Sequence, residues 1–222
     1  MSRSRADARV VDTAPEHSRF SRARERRLSR VLRATGWTLI VAGFLVIAFI
    51  LYELLATGLV TARYQQGLRD QLAENLARPL PGDEPPPPVP GEAVGIIRIP
   101  EIGLDMAVVE GVAPDDLKKG PGHYPGTSLP GAEGNVGIAG HRTTYARPFW
   151  ALDRIEAGDR IYVDTRRGRF IYRVEWARVV APDQVEVLDA TRDPSLTLTT
   201  CHPKFSAAQR LVVRAVQVSG PG

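Results

Sequence analysis

Hydrophobic and polar positions divide the chain into three stretches with different periods. Residues 34–52, ATGWTLIVAGFLVIAFILY, carry no charge and no polar face. At 1.5 Å per residue that helix spans about 28 Å, close to the ~30 Å hydrocarbon core of a bilayer. Residues 61–78, TARYQQGLRDQLAENLAR, repeat leucine at helical spacing (Leu68, Leu72, Leu76), which reads as a membrane-proximal helix or stalk, with a partly ordered spacer as the equal alternative. From Val94 the period falls to two. The runs VGIIRI (94–99), LDMAVVEG (104–111), NVGIAG (135–140), RIYVDT (160–165), RFIYRVEWARVVA (169–181), SLTLTTC (195–201) and RLVVRAVQV (210–218) read as strands, bounded by Gly and Pro. In the fifth run Phe170, Tyr172, Val174 and Trp176 fall on one face. TRRG (165–168) reads as a hairpin turn, and 114–119 and 145–154 as short helical turns. Seven short strands in one stretch predict a small antiparallel barrel or sandwich.

Charge gives the apolar segment a direction. Ten arginines precede residue 34, whereas only Arg63 and Arg69 closely follow the span. The positive-inside rule then puts the N-terminus in the cytoplasm and everything after about residue 60 outside. A cleaved signal peptide is the rival, but both its apolar and its charged regions would be shorter. The PLPGDEPPPPVPGEA stretch (79–93) cannot continue a helix or a sheet and reads as a semi-rigid extended spacer. The expected organisation is a cytoplasmic Arg-rich tail (1–33), a transmembrane anchor (34–58), a stalk and Pro-rich linker (59–91) and an extracellular domain (92–220). The net charge of +4 sits in the tail, so no basic stripe points to nucleic acid.

The single cysteine, Cys201, cannot form an intramolecular disulfide. It is a buried apolar residue or a reactive thiol. Zinc is disfavoured, because His123, His141, Cys201 and His202 are separated by 18, 60 and one positions, unlike the close ligand pairs of structural sites. A nucleophilic thiol needs a proton carrier and donors for the developing oxyanion. His202 adjoins Cys201 but points to the opposite face of a strand. His141, where GNVGIAGH leaves a strand, is the first candidate for the base, and His123 in GPGHYPG is the second. If 195–201 and 210–218 pair antiparallel, Arg210 meets the Cys201 end, while Arg214 lies about 13–14 Å away.

TLTTC (197–201), with a histidine 60 residues upstream and an arginine nine residues downstream, resembles the TLxTC signature and Cys–His–Arg arrangement of sortases. TLTTCHPKFSAAQRLVV together with GHR (140–142) is most similar to class E, with class D close. The resemblance implies an all-β fold, a closed eight-stranded sortase-type barrel with short helices behind one N-terminal transmembrane helix. The eighth strand is expected near 121–128.

The resemblance also implies a mechanism. Cys201 would attack the Thr carbonyl of an LAxTG/LPxTG-like sorting signal, His141 would be the acid/base, and Arg210 would orient substrate and stabilise the oxyanion. Thr200 would add a donor beside the thiol, and Tyr124 would be the groove tyrosine tied to Ala at the second signal position. Loop 181–194 would line the substrate groove. The implied partners are surface proteins bearing a sorting signal, a lipid II-like peptidoglycan precursor amine and the membrane, with no cofactor and no metal. L,D-transpeptidases place Gly before the cysteine and Arg two residues after it, where this chain has Thr200 and Pro203. An anchored wall-binding domain with an inert Cys201 is the non-enzymatic alternative.

Overall fold

The computed structural model describes residues 17–77 and 87–221; the start of the Arg-rich tail (1–16) and the linker segment 78–86 lie outside the described residues. The chain divides into two compact units, Met1–Leu51 and Tyr52–Gly222. One helix, α1 (His17–Ala77), contributes to both. In the first unit its apolar side chains, among them Trp37, Phe44, Ile47 and Phe49, are exposed. By length and composition this helix can cross a membrane.

The second unit is a closed barrel of eight strands in the order β1-β2-β3-β4-β7-β8-β6-β5. They are β1 (Ala93–Ile99), β2 (Leu104–Glu110), β3 (Gly122–His123), β4 (Asn135–Ala139), β5 (Arg160–Thr165), β6 (Gly168–Val180), β7 (Ser195–His202) and β8 (Gln209–Ser219). The pairs β2·β3 and β4·β7 are parallel and the rest antiparallel. All seven runs read from the alternating pattern are strands, and the eighth, β3, has two residues, within the expected 121–128. The turn at Thr165–Gly168 joins β5 and β6 in register. A short helix α2 (Pro114–Leu117) and a 3₁₀ turn (Leu152–Arg154) fall within the two predicted helical stretches.

The interior is filled by inward residues from seven of the strands, including Ile97, Val108, Ile138, Val163, Tyr172, Leu198 and Val213, and by Phe149 and Leu152 from the connection after β4. Burying a large aliphatic or aromatic side chain contributes about 1.5–3 kcal/mol, so closure of the barrel needs no disulfide. The β6 face differs from its alternating pattern. Phe170, Tyr172 and Val174 are buried, but the register against β8 shifts between Val174 and Trp176. A bulge adds one residue and turns the rest of the strand to the other face. Trp176 accordingly lies outside, 5.7 Å from the Arg214 guanidinium and 4.5 Å from that of Arg178.

Within this unit, the last turns of α1 dock on the barrel. β3 covers only Val109 and Glu110 of β2, so the edge of β2 near Ala107 needs other partners. Gln65 supplies one: its Nε2 donates to Ala107 O (2.9 Å) and its Oε1 accepts from Ala107 N (2.7 Å), replacing a ladder rung. Thr61 Oγ1 donates to Lys118 O (2.8 Å), and Leu68 packs with Ala107 and Val109. Leu72 is buried, whereas Leu76 is exposed.

Candidate active site

The β-ladder brings the candidate residues together from distant parts of the chain. β4 and β7 run parallel, with Ala139 opposite Thr199. Two bonds carry this register past the end of β4: Gly140 N–H donates to Thr199 O (3.1 Å), and Thr200 Oγ1 donates to Gly140 O (2.7 Å). The chain leaves β4 at this point, and His141 is the second residue of the loop that follows, on the side of the barrel where β7 ends at Cys201 and His202. On the other side, β8 pairs antiparallel with β7 and puts Arg210 directly opposite Cys201. The thiol therefore sits on β7, between β8, whose Arg210 is its register partner, and β4, whose following loop carries His141.

Alternation decides which face carries the chemistry. Leu196 and Leu198 point into the core. Ser195, Thr197, Thr199 and Cys201 therefore point outward. Thr200 lies on the inner face, buried, and its hydroxyl is committed to Gly140 O. It holds the segment that carries His141. His202 lies on the face away from Cys201, and its buried Nδ1 has no partner among the described residues. His123 does not meet the thiol's neighbours: its Nδ1 lies 2.6 Å from Glu110 Oε2, and its Nε2 lies 3.0 Å from both Ser128 O and Thr127 Oγ1.

Tyr124 reaches the outer face of β7, its hydroxyl 2.9 Å from Thr199 Oγ1, two residues before the thiol. The 3₁₀ turn Val185–Leu188, in the 181–194 connection, covers the same face. Three side chains converge on its Val187 carbonyl: Asn135 Nδ2 (3.1 Å), Thr197 Oγ1 (3.3 Å) and Arg214 Nη2 (2.7 Å). Beneath lies Gly137, where a Cβ would meet Leu188 Cδ2 and Tyr124 Cδ2 at 3.0 Å each. Position 137 is glycine because these two side chains rest on it.

The loop after His141 is tied to the loop after Cys201. Arg142, almost fully buried, donates from Nε to Trp150 O (3.1 Å) and from Nη2 to Asp153 Oδ1 (3.0 Å). The other Asp153 oxygen lies 3.4 Å from Lys204 Nζ. Lys204 also lies over the Trp150 ring at 4.5 Å, and Phe205 meets that ring edge-on at 5.9 Å. Burial would raise the Asp153 carboxyl, but Arg142 and Lys204 hold it below its ordinary value. Tyr145, Ala146 and Arg147 all take positive φ (50°, 58°, 43°), a left-handed run that turns the Tyr145 ring to within 5.1 Å of His141. Burial holds the His141 imidazole below its ordinary pKa of 6.5. Cys201 is half-buried. The Arg210 guanidinium donates through Nη1 to Ala207 O (2.9 Å) and Gln209 O (3.0 Å), parked on the β7–β8 connection.

The sequence pattern gave no role to Asp153 or Tyr145, set Arg214 aside as remote from the thiol, and held Arg142 only as part of GHR (140–142). Arg142 had a signal in directly following His141; the others reveal their roles only in three dimensions. Among the described residues, no cluster of three or more His, Cys, Asp and Glu side chains could hold a metal ion.

A closed barrel with Cys201 and Arg210 paired across β7 and β8, and His141 in the loop after the neighbouring β4, has the residue types a cysteine acyl-transfer enzyme needs. The sortase domain family matches residues 97–218, and the chain belongs to the sortase family. It is 33% identical over 217 residues to Sortase SrtE1 of Streptomyces coelicolor, an alignment covering 89% of this chain and 60% of that one. The solved structure of Sortase E1 from Streptomyces coelicolor with a tripeptide in the active site superposes with a TM-score of 0.56 at 31% identity, covering 61% of this chain and 93% of that one. A Clostridium perfringens Sortase D5 transpeptidase gives a TM-score of 0.60 at 25% identity over 72% and 99% of the two chains. The chain thus spans about three fifths of the length of SrtE1, while its aligned part covers nearly all of these two solved chains.

Proposed function

We propose that this chain is a membrane-anchored cysteine transpeptidase. It cleaves an LAxTG/LPxTG-like sorting signal after Thr and passes the acyl group to an amine of a cell-wall precursor. The observation that carries the reading is the register of β4, β7 and β8, with Ala139 opposite Thr199 and Cys201 opposite Arg210.

In this mechanism neutral His141 takes the Cys201 proton, and the thiolate attacks the Thr carbonyl carbon. Arg210 moves from the Ala207 and Gln209 carbonyls to the oxygen that gains charge. A donor already in place at such a position lowers the barrier by about 2.7–4 kcal/mol in other acyl-transfer enzymes, and Arg210 contributes less than that by the cost of leaving its two carbonyls. The Thr–Gly C–N bond breaks as His141 returns the proton to the leaving glycine amine, which leaves a Cys201 thioester. The acceptor amine then attacks that thioester, His141 removes its proton, and the thiol is restored. Thr200 acts through Gly140 by holding the His141 segment, and Tyr124 lines the donor groove. The apolar part of α1 is the anchor, with the Arg-rich tail cytoplasmic and the barrel outside.

The experiment is a transpeptidation assay on the full chain in detergent, with LAxTG and LPxTG peptides and an amine acceptor. Cys201→Ala, His141→Ala and Arg210→Ala each abolish turnover if the reading holds. Undiminished turnover in Cys201→Ala contradicts it. Turnover kept in His141→Ala but lost in His123→Ala moves the base to His123.

A further inference from the structure

The segment GHYPGT (122–127) contains a polar cluster that the thiol chemistry does not use. Tyr124-Pro125-Gly126-Thr127 forms a tight turn: Thr127 N–H donates to Tyr124 O (3.1 Å), and Gly126 takes φ +85°. Proline second and a positive-φ glycine third are what a type II turn requires. Thr127 Oγ1 donates to the same Tyr124 carbonyl (2.8 Å), accepts from Gly137 N–H (3.1 Å), and lies 3.0 Å from His123 Nε2. One hydroxyl thus ties the turn to β4 and to His123.

His123 in turn is fixed from behind. The Ser128 carbonyl can only accept, so Nε2 is the protonated nitrogen, shared between Ser128 O and Thr127 Oγ1. At Nδ1 one proton lies between the imidazole and Glu110 Oε2 at 2.6 Å. The side chains of His123 and Glu110 are 2% and 6% exposed, so water does not compete for these bonds. Glu110 and His123 are also register partners between β2 and β3. A relay therefore runs from the barrel wall to the groove: Glu110, His123, Thr127, the Tyr124 backbone, and the Tyr124 hydroxyl on Thr199.

We propose that Glu110, His123 and Thr127 are positioning residues for the acyl-donor groove. They hold the Tyr124 ring over Gly137 and against Thr199, and so set affinity for the donor peptide rather than the rate of the thiol chemistry. The proposal rests on the transpeptidase reading. It follows from the layout, because the relay ends on Thr199 and makes no bond to Cys201, His141 or Arg210.

The test is a comparison of Thr127→Val, Thr127→Ser and Glu110→Gln with the wild-type full chain. Thr127→Val keeps the shape and removes the hydroxyl, leaving the Gly137 N–H without its acceptor. Its KM for the LAxTG peptide rises about tenfold, the scale of one unpaired buried donor. Its kcat stays within about twofold, since the thiol, base and guanidinium are untouched. Thr127→Ser restores the wild-type KM, and Glu110→Gln raises it. Binding of a fluorescent LAxTG peptide to Cys201→Ala, with and without Thr127→Val, reads the same loss without turnover. A wild-type KM or peptide affinity in Thr127→Val overturns the proposal, as does a fall in kcat at unchanged KM or a Thr127→Ser enzyme that behaves like Thr127→Val. If the wild-type chain neither binds nor turns over the peptide, the transpeptidase reading has failed, a different result from any of these.

Discussion

Gly140 is where the barrel's packing and its chemistry meet most closely, and Gly140→Ala tests both. Its N–H and carbonyl are both bonded to β7, at Thr199 O and Thr200 Oγ1, and the next residue is His141. A Cβ there would stand 2.5 Å from Phe149 Cδ2, 2.7 Å from Cε2 and 3.1 Å from Cγ. The Phe149 ring is fully buried, so it has no open space to move into. Ordinary carbon–carbon contact needs about 3.5 Å, so the backbone or the ring must give by about 1 Å. Overpacking of this kind costs about 1–3 kcal/mol. For a domain of this size that lowers Tm by about 3–10 °C. If the displacement falls on Gly140, His141 moves relative to Cys201, and a 1 Å misplacement can cost about 100-fold in rate. The assay is kcat/KM for the LAxTG peptide together with a thermal melt. Phe149→Leu in the same chain makes room for the methyl and recovers most of the lost rate. Wild-type kcat/KM and Tm in Gly140→Ala would refute the claim that this contact sets the position of the base.

Further outcomes follow from the electrostatics and topology. Because burial lowers the His141 pKa, the imidazole is neutral at pH 7, and the acid limb of kcat/KM lies below pH 6.5. Folding favours that neutral form, so its contribution to stability is lost as pH falls through the folded value. An NMR titration of His141 with a midpoint above 6.5 would contradict this. Asp153→Asn leaves the buried Arg142 guanidinium without its carboxylate. Breaking a fully buried pair costs about 3–5 kcal/mol, which the 43% exposure of Asp153 reduces to about 1–3 kcal/mol. Lys204→Ala, on the exposed side of the same carboxylate, costs about 1 kcal/mol or less, and equal melting losses in the two variants would refute the ordering. As the chain has one cysteine, a membrane-impermeant maleimide labels intact cells at Cys201 if the barrel is outside. Labelling only after lysis reverses the topology.

The sequence made the strand ends legible and left their supports hidden. Alternation located seven strands because each has a dry inner face, and the Cys201–Arg210 pairing followed from a short antiparallel connection. Alternation did not show β3, because Gly122–His123 is too short to have a period; it was expected near 121–128 only from the resemblance. Trp176 does not share the face of Phe170, Tyr172 and Val174, because of a bulge near Glu175 that leaves no mark on hydrophobic alternation. The leucine spacing showed a helix at 61–78 but not its docking: Leu68 and Leu72 are buried, Leu76 is exposed, and nothing in the sequence marks Gln65, which forms a ladder rung with Ala107. The Val187 carbonyl that pins the 181–194 connection to β4, β7 and β8 is a backbone atom, and residue type says nothing of it. Asp153 looked like any surface carboxylate until the fold put a buried arginine on one of its oxygens and a loop lysine near the other.

The central claim is that Cys201 becomes acylated by the signal peptide. Intact-protein mass spectrometry of the full chain with LAxTG peptide and no acceptor amine tests it most directly. The account predicts a covalent adduct equal to the peptide portion ending at Thr, located on Cys201, removed by hydroxylamine and absent from Cys201→Ala. Turnover of the peptide with no such adduct on Cys201 in any time window, or with the same adduct on Cys201→Ala, would contradict it.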